Sequence, residues 1–184
     1  MLHFFSSFQE IISVCPDQPV DVHTSAEYVH IFTDGAMRLD SGFAVVGGVI
    51  RDKKGLWITG FHHFLGKCSA FNAKLWGILE GLKLIQRLGY DHVIIHSDSL
   101  EVVKGIHEGS SNCSNSALIR RIHSIMSQEN HWSLQYISRE QNQIVDCFAK
   151  QALIEKENLQ VLDVPPEMAR VLIDKSTFLG GSFI

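Results

Sequence analysis

Three carboxylates, Asp34, Asp98 and Asp146, stand where one fold could gather them, and an ammonium, Lys74, stands among them. Asp34 closes the run Ile31-Phe32-Thr33, and Asp98 closes Val93-Ile94-Ile95-His96-Ser97, so both follow strand-like segments. Asp146 lies within a helical pattern that opens at Arg139-Glu140-Gln141-Asn142. Acids at the ends of neighbouring strands, joined by others from helices, are how a protein assembles oxygen ligands for Mg²⁺. Lys74 sits where a helix would be expected to add a fourth carboxylate. It shares a helical face with Ile78, Gly81 and Ile85, which aims it inward. Each acid also has an ordinary reading: a turn at Asp34-Gly35, a helix cap at Asp98-Ser99, and a solvated pair of Asp146 with Lys150 at i+4. Taken together, in this order, they favour a shared site.

The elements that must position these groups follow from pattern. Tyr28-Val29-His30-Ile31-Phe32-Thr33 alternates as a strand; 42–50 and 56–65 are two more, the second pair joined by a hairpin turn at Arg51-Asp52-Lys53-Lys54-Gly55. The period then changes. Ser69 is an N-cap, apolar residues recur at helical spacing to Leu88, and Gly89 stops the helix. A near-continuous apolar strand, 91–97, reads as central. Helices at 99–108 and 116–128, a strand at 132–138 and a helix at 140–156 complete the order β-β-β-α-β-α-α-β-α. That order predicts an α/β fold: a five-stranded mixed sheet, three antiparallel strands then two parallel ones, flanked by helices. Residues 1–25 read as an irregular leader with a short helix at 4–14, 26–156 as the domain, and 157–184 as a tail whose short helix starts beside Pro165 and Pro166.

Length and composition bound the rest. The 184 residues suffice for one domain with a sizeable core, and 45% hydrophobic with 20% charged residues is ordinary for a globular chain. The net charge of −4 gives no global basic character, so a phosphate partner would be met by local basic groups or by metal ions. Arg120, Arg121 and His123 form one small basic cluster. The four cysteines (Cys15, Cys68, Cys113 and Cys147) form no CxxC pair and read as reduced, which places the chain inside the cell, in cytoplasm or nucleus, and not among secreted proteins. No run reaches the ~18 apolar residues of a membrane span. The ten histidines show no zinc spacing; His62-His63 on a strand would face opposite sides, and His96 shares its strand face with Asp98.

Four motifs, in this order, resemble the ribonuclease H type-1 superfamily, in its plant reverse-transcriptase-like, retroelement-derived branch. Thr33-Asp34-Gly35-Ala36 is similar to its first-strand motif, Ala73-Lys74-Leu75-Trp76-Gly77 with Glu80-Gly81-Leu82 to its first helix, Ser97-Asp98-Ser99 to its next strand end, and Arg139 to Asp146 to its last helix start. The Pro165-Pro166 pair with Asp174 resembles its usual ending. The resemblance implies metal-dependent endonucleolytic hydrolysis of RNA in RNA/DNA hybrids, with Mg²⁺ or Mn²⁺ on Asp34, Asp98 and Asp146. Lys74 stands in place of the family's helix Glu, and Tyr136 in place of its auxiliary His. It further implies nucleic-acid contacts at Gly35, Ala36, Ser69, Asn72, Arg139 and Asn142; separately, no membrane partner and a monomer are expected. Four acids would carry −4 at the site; three acids and Lys74 carry −2, so metal binding and cleavage are expected to be weakened. Glu80 is no replacement, being six residues on, about 120° round the helix and roughly 9 Å along it. The alternatives are an inactive module that binds hybrid or RNA, or an inert remnant of a retroelement.

Overall fold

A computed structural model of the chain describes residues 28–109 and 116–172. The leader with its expected helix, the loop 110–115 and Asp174 lie outside the described residues.

Within them, strands β1 (Tyr28–Met37), β2 (Phe43–Asp52) and β3 (Trp57–Lys67) form an antiparallel meander. Helix α1 (Ala70–Leu88) crosses back to β4 (His92–Ser97), which lies parallel to β1. Helices α2 (Leu100–Glu108) and α3 (Ser116–Met126) lead to β5 (His131–Tyr136), parallel to β4. A 3-10 turn at Arg139–Gln141 and helix α4 (Gln143–Glu155) follow. The α/β mixed sheet is therefore as expected, with one addition. A sixth strand, β6 (Gln160–Leu162), pairs antiparallel with β3 and gives the order β5-β4-β1-β2-β3-β6. Three residues are too few for an alternating pattern to show in the sequence. Backbone pairing and the Thr59 hydroxyl, which donates to the Leu162 carbonyl at 3.1 Å, hold the strand in place.

The two faces of the sheet are covered differently. Val29, Ile31, Val93 and Ile95 turn to one face and bury against Leu75, Ile78, Leu79 and Leu82 of α1. On the other face α4 lies over β1 to β3, with Ala149 and Ala152 against Val45. His62 and His63 do face opposite sides: His62 meets the Phe148 ring of α4 edge-on at 5.3 Å, while His63 Nδ1 lies 2.6 Å from Glu80 Oε1 of α1. No helix among the described residues is long and apolar enough to cross a membrane.

Missing side chains set the distances that matter most. A Cβ on Gly35 would sit 2.5 Å from the Ala73 carbonyl carbon and 2.6 Å from the Lys74 nitrogen, which no real Cβ tolerates. On the helix side, a Cβ on Gly77 would sit 3.2 Å from the Asp34 carbonyl oxygen. The first turns of α1 therefore lie flush on β1, with Lys74 beside Asp34. On the opposite face, Gly47 pairs with Asp34 in the ladder and lets the Ala149 backbone of α4 approach to 3.1 Å of its own missing Cβ. Helices on both sides of the sheet close on one residue pair.

Candidate functional site: a lysine between two strand-end carboxylates

Asp34 is placed by β1, which continues through it to Met37, so Asp34-Gly35 is strand and not turn. Only 4% of Asp34 is exposed. Its Oδ1 accepts from the Gly35 amide at 2.7 Å and from the Lys74 ammonium. The same ammonium donates to Asp98 Oδ1 at 2.9 Å. Asp98 is fixed in the link between β4 and α2, where the next residue, Ser99, caps α2 by accepting from the Val102 amide. Lys74 is thus an inward-pointing lysine, as its helical phase predicted, bridging two acids.

Electrostatics hold the triad charged at its centre. Burial pushes the Asp34 carboxyl up, and Lys74 beside it pulls it only part of the way back, with Asp98 adding a smaller upward push. Burial alone would lower Lys74, but the two carboxylates outweigh it and leave the ammonium above its ordinary range. The shifts on the two partners point to opposite conclusions about charge, burial winning on one and the pair on the other. The lysine decides: flanked by two acids, it keeps its proton throughout the neutral range.

That arrangement fails the test for a divalent ion shared by Asp34 and Asp98. The oxygens that would bind it are occupied by an ammonium, and a Mg²⁺ ion 4 Å from that ammonium would be repelled by on the order of 8 kcal/mol at an effective dielectric of 20. Among the described residues, no group of three or more His, Cys, Asp and Glu side chains is arranged to hold a metal ion.

Asp146 belongs to a more open part of the molecule. It lies in the first turn of α4, and its Oδ2 accepts from Lys150 Nζ at 2.6 Å, the ordinary i+4 pair the sequence allows. Its approach to the strand is set by Asn142, whose Nδ2 donates to the Thr33 carbonyl at 3.1 Å. Asn142, expected from the resemblance to touch nucleic acid, spends its amide on this contact. Only 1% of the residue is exposed, because packing α4 on β1 turns the side chain inward, where it fixes the residue next to Asp34. Gly35 is also buried, and its amide is taken up by Asp34. Ser69 is exposed and caps α1 by accepting from the Asn72 amide; Arg139 is exposed; Ala36 and Asn72 are half-buried. Tyr136 ends β5 half-exposed. His96 is packed inside the sheet layer: it is buried, its Nε2 lies 2.9 Å from His30 Nδ1, and its ring stacks on Phe32 at 4.6 Å. Glu80 is committed to His63, which removes it from the site as its helical phase required.

The profile of the reverse transcriptase-like family matches residues 32–152, which takes in all three acids and Lys74. The chain belongs to the reverse transcriptase-like family. It is similar to an Arabidopsis thaliana protein provisionally named a ribonuclease H protein, 31% identical over 151 residues. That match takes in 82% of this chain but only 24% of the relative, so the chain spans about a quarter of that protein. Its fold is similar to that of RNase H1 from the archaeon Halobacterium salinarum, with a TM-score of 0.65 at 23% identity over 70% of this chain and 98% of that one. LC11-RNase H1, solved in complex with an RNA/DNA hybrid, gives a TM-score of 0.64 at 22% identity over the same shares. The ribonuclease H-like fold is therefore established for this reverse transcriptase-like domain.

Two features of the domain escaped the sequence reading. The inward turn of Asn142 has no local signal, since motif resemblance gives a residue type and not a direction. The His30–His96 pair left only a trace, in the shared strand face of two histidines on strands whose pairing the fold alone reveals.

Proposed function

We propose that this domain binds an RNA/DNA hybrid or a related RNA-containing duplex, and that metal-dependent hydrolysis is weakened to the point of loss. The observation that carries the reading is the Lys74 ammonium bonded to Asp34 and Asp98 at once. Fold and family supply the nucleic-acid half of the proposal. A relative of the same fold is solved on an RNA/DNA hybrid, and Ser69, Asn72, Ala36 and Arg139 remain as candidate contacts on this chain. Lys74 supplies the other half: a fixed cation occupies oxygens that a hydrolytic site would give to a metal ion. A reading with residual cleavage rests on the retention of Asp34, Asp98 and Asp146.

The test is a labelled RNA/DNA hybrid offered with Mg²⁺ and with Mn²⁺, scored for binding and for cleavage. Binding without cleavage is expected. Lys74→Glu removes a cation and adds an oxygen ligand, a swing of two charges. It is expected to create Mg²⁺ binding measurable by calorimetry and to raise cleavage by at least about 100-fold, the equivalent of roughly 2.7 kcal/mol of transition-state stabilisation. Asp98→Asn in that background should abolish the gain. Cleavage by the native chain that Lys74→Glu does not increase would sink the proposal.

A further inference from the structure

Lys74 is not the only lysine at these acids. Lys150 lies one turn beyond Asp146 on α4 and donates to its Oδ2 at 2.6 Å. Its neighbour in sequence, Ala149, is the residue whose backbone comes within 3.1 Å of the missing Gly47 Cβ, and Gly47 pairs directly with Asp34. Lys150 is therefore carried to the same end of the sheet as Asp34, from the face opposite Lys74. Three carboxylates and two ammoniums sum to −1, where four carboxylates would give −4. The two lysines differ in what they can still do. Lys74 is 17% exposed and spends hydrogen bonds on two acids; Lys150 is 60% exposed and one of its three N–H donors goes to Asp146.

We infer that Lys150, and no metal ion, receives a backbone phosphate of the bound nucleic acid, beside acids whose charge Lys74 halves from the opposite face of the sheet. This rests on the nucleic-acid binding proposed above and names the group that makes the contact. Lys74 cancels one of the two negative charges that Asp34 and Asp98 would present to a phosphate. Lys150 supplies an ammonium at the solvent-facing rim, a point charge of the kind that binds phosphate without demanding fixed geometry. The Asp146 carboxylate holds that ammonium at the rim and competes with the phosphate for it. Removing the two partners of this ion pair should therefore act on binding with opposite signs. A merely structural pair would not separate them in that way.

The experiment measures affinity for a labelled RNA/DNA hybrid by fluorescence anisotropy at several salt concentrations, in EDTA and in Mg²⁺. The native chain is expected to bind equally well in both. Lys150→Gln should weaken binding about 5- to 10-fold and reduce the slope of log affinity against log salt by about 1, the loss of one phosphate contact. Lys150→Arg should retain both affinity and slope. Asp146→Asn, which frees the ammonium, should tighten binding about 2- to 5-fold. Thermal melts of all three variants establish that each is folded. Binding that needs Mg²⁺ would overturn the inference, as would a Lys150→Gln variant with unchanged affinity and slope, or Asp146→Asn and Lys150→Gln shifting affinity in the same direction; in each case the binding proposal survives. A native chain that binds no hybrid in either buffer would instead sink the binding proposal itself, and this contact with it.

Discussion

Lys74, partly buried, and His96, buried, are two basic side chains near one end of the same sheet, and their surroundings drive them in opposite directions. Lys74 lies between Asp34 and Asp98, which hold its proton against the cost of burial. His96, two residues before Asp98, meets His30 and the Phe32 ring. Burial, with a lesser push from His30, drives its pKa down to about 4. Burial penalises the charged form of both; the partner decides the outcome. The site consequently carries one fixed cation that acids made permanent, while the adjacent histidines supply neutral packing. A divalent ion would find a charge already present at the first group.

The largest expected effect tests the first half of that contrast. Lys74→Met should destabilise the domain by about 3–5 kcal/mol, because it leaves two nearby acids, one of them deeply buried, without their counter-ion. Adding Asp34→Asn should recover a substantial part, since the uncompensated charge goes with it. Urea unfolding of the single and double variants measures both. A loss below about 1 kcal/mol for Lys74→Met would mean that the triad is solvated and contributes little, which would also reopen those oxygens to a metal.

The second half is tested by pH. The unfolded chain takes up a proton on His96 near 6.5, and the folded protein only near 4. Between those values the unfolded state holds more protons, so stability falls as pH falls. At 1.36 kcal/mol per pH unit the interval amounts to roughly 3 kcal/mol. His96→Phe, which keeps a ring against Phe32, should flatten this part of the unfolding curve between pH 7 and pH 4. An unchanged slope would show that other groups account for the acid sensitivity.

What the sequence disclosed and what it hid divide along similar lines. Local signals were enough for α1. Ser69 as cap, the apolar spacing and Gly89 place its ends within a residue, and the same phase aimed Lys74 at the acids before any distance was known. The order of strands and helices was enough for the mixed sheet. Groups whose roles depend on how two distant elements meet were not legible. Asn142 and Thr33 are 109 residues apart, His30 and His96 are 66 apart, and β6 reaches β3 across about a hundred residues of chain. Asn142 was read as a nucleic-acid contact for that reason; its amide became structural only when α4 closed on β1.

Asn142 provides a third and smaller test, intermediate between the buried triad and the open rim. Asn142→Ala leaves the buried Thr33 carbonyl without its donor and should cost about 1–3 kcal/mol. It should also loosen Asp146 relative to Asp34, so hydrogen exchange at the start of α4 is expected to quicken while α1 is unaffected. If α1 quickens equally, the two helices are not independent arms of the site, and Asp146 belongs energetically with the buried triad.

The smallest effect belongs to the rim. The Lys150–Asp146 pair has the same chemistry as Lys74–Asp34, ammonium to carboxylate at hydrogen-bond distance, but its side chains are 60% and 37% exposed. Water already solvates both charges, so little is gained by pairing them and little is lost by separating them. An exposed i,i+4 pair on a helix contributes about 0.3–0.5 kcal/mol, and salt screens even that. Lys150→Ala is therefore expected to change unfolding free energy by no more than about 0.5 kcal/mol, roughly a tenth of the Lys74→Met effect. A loss above about 1.5 kcal/mol would place Asp146 inside the buried cluster, so that a single coupled network of three acids and two lysines would replace the contrast between a sealed triad and an open rim.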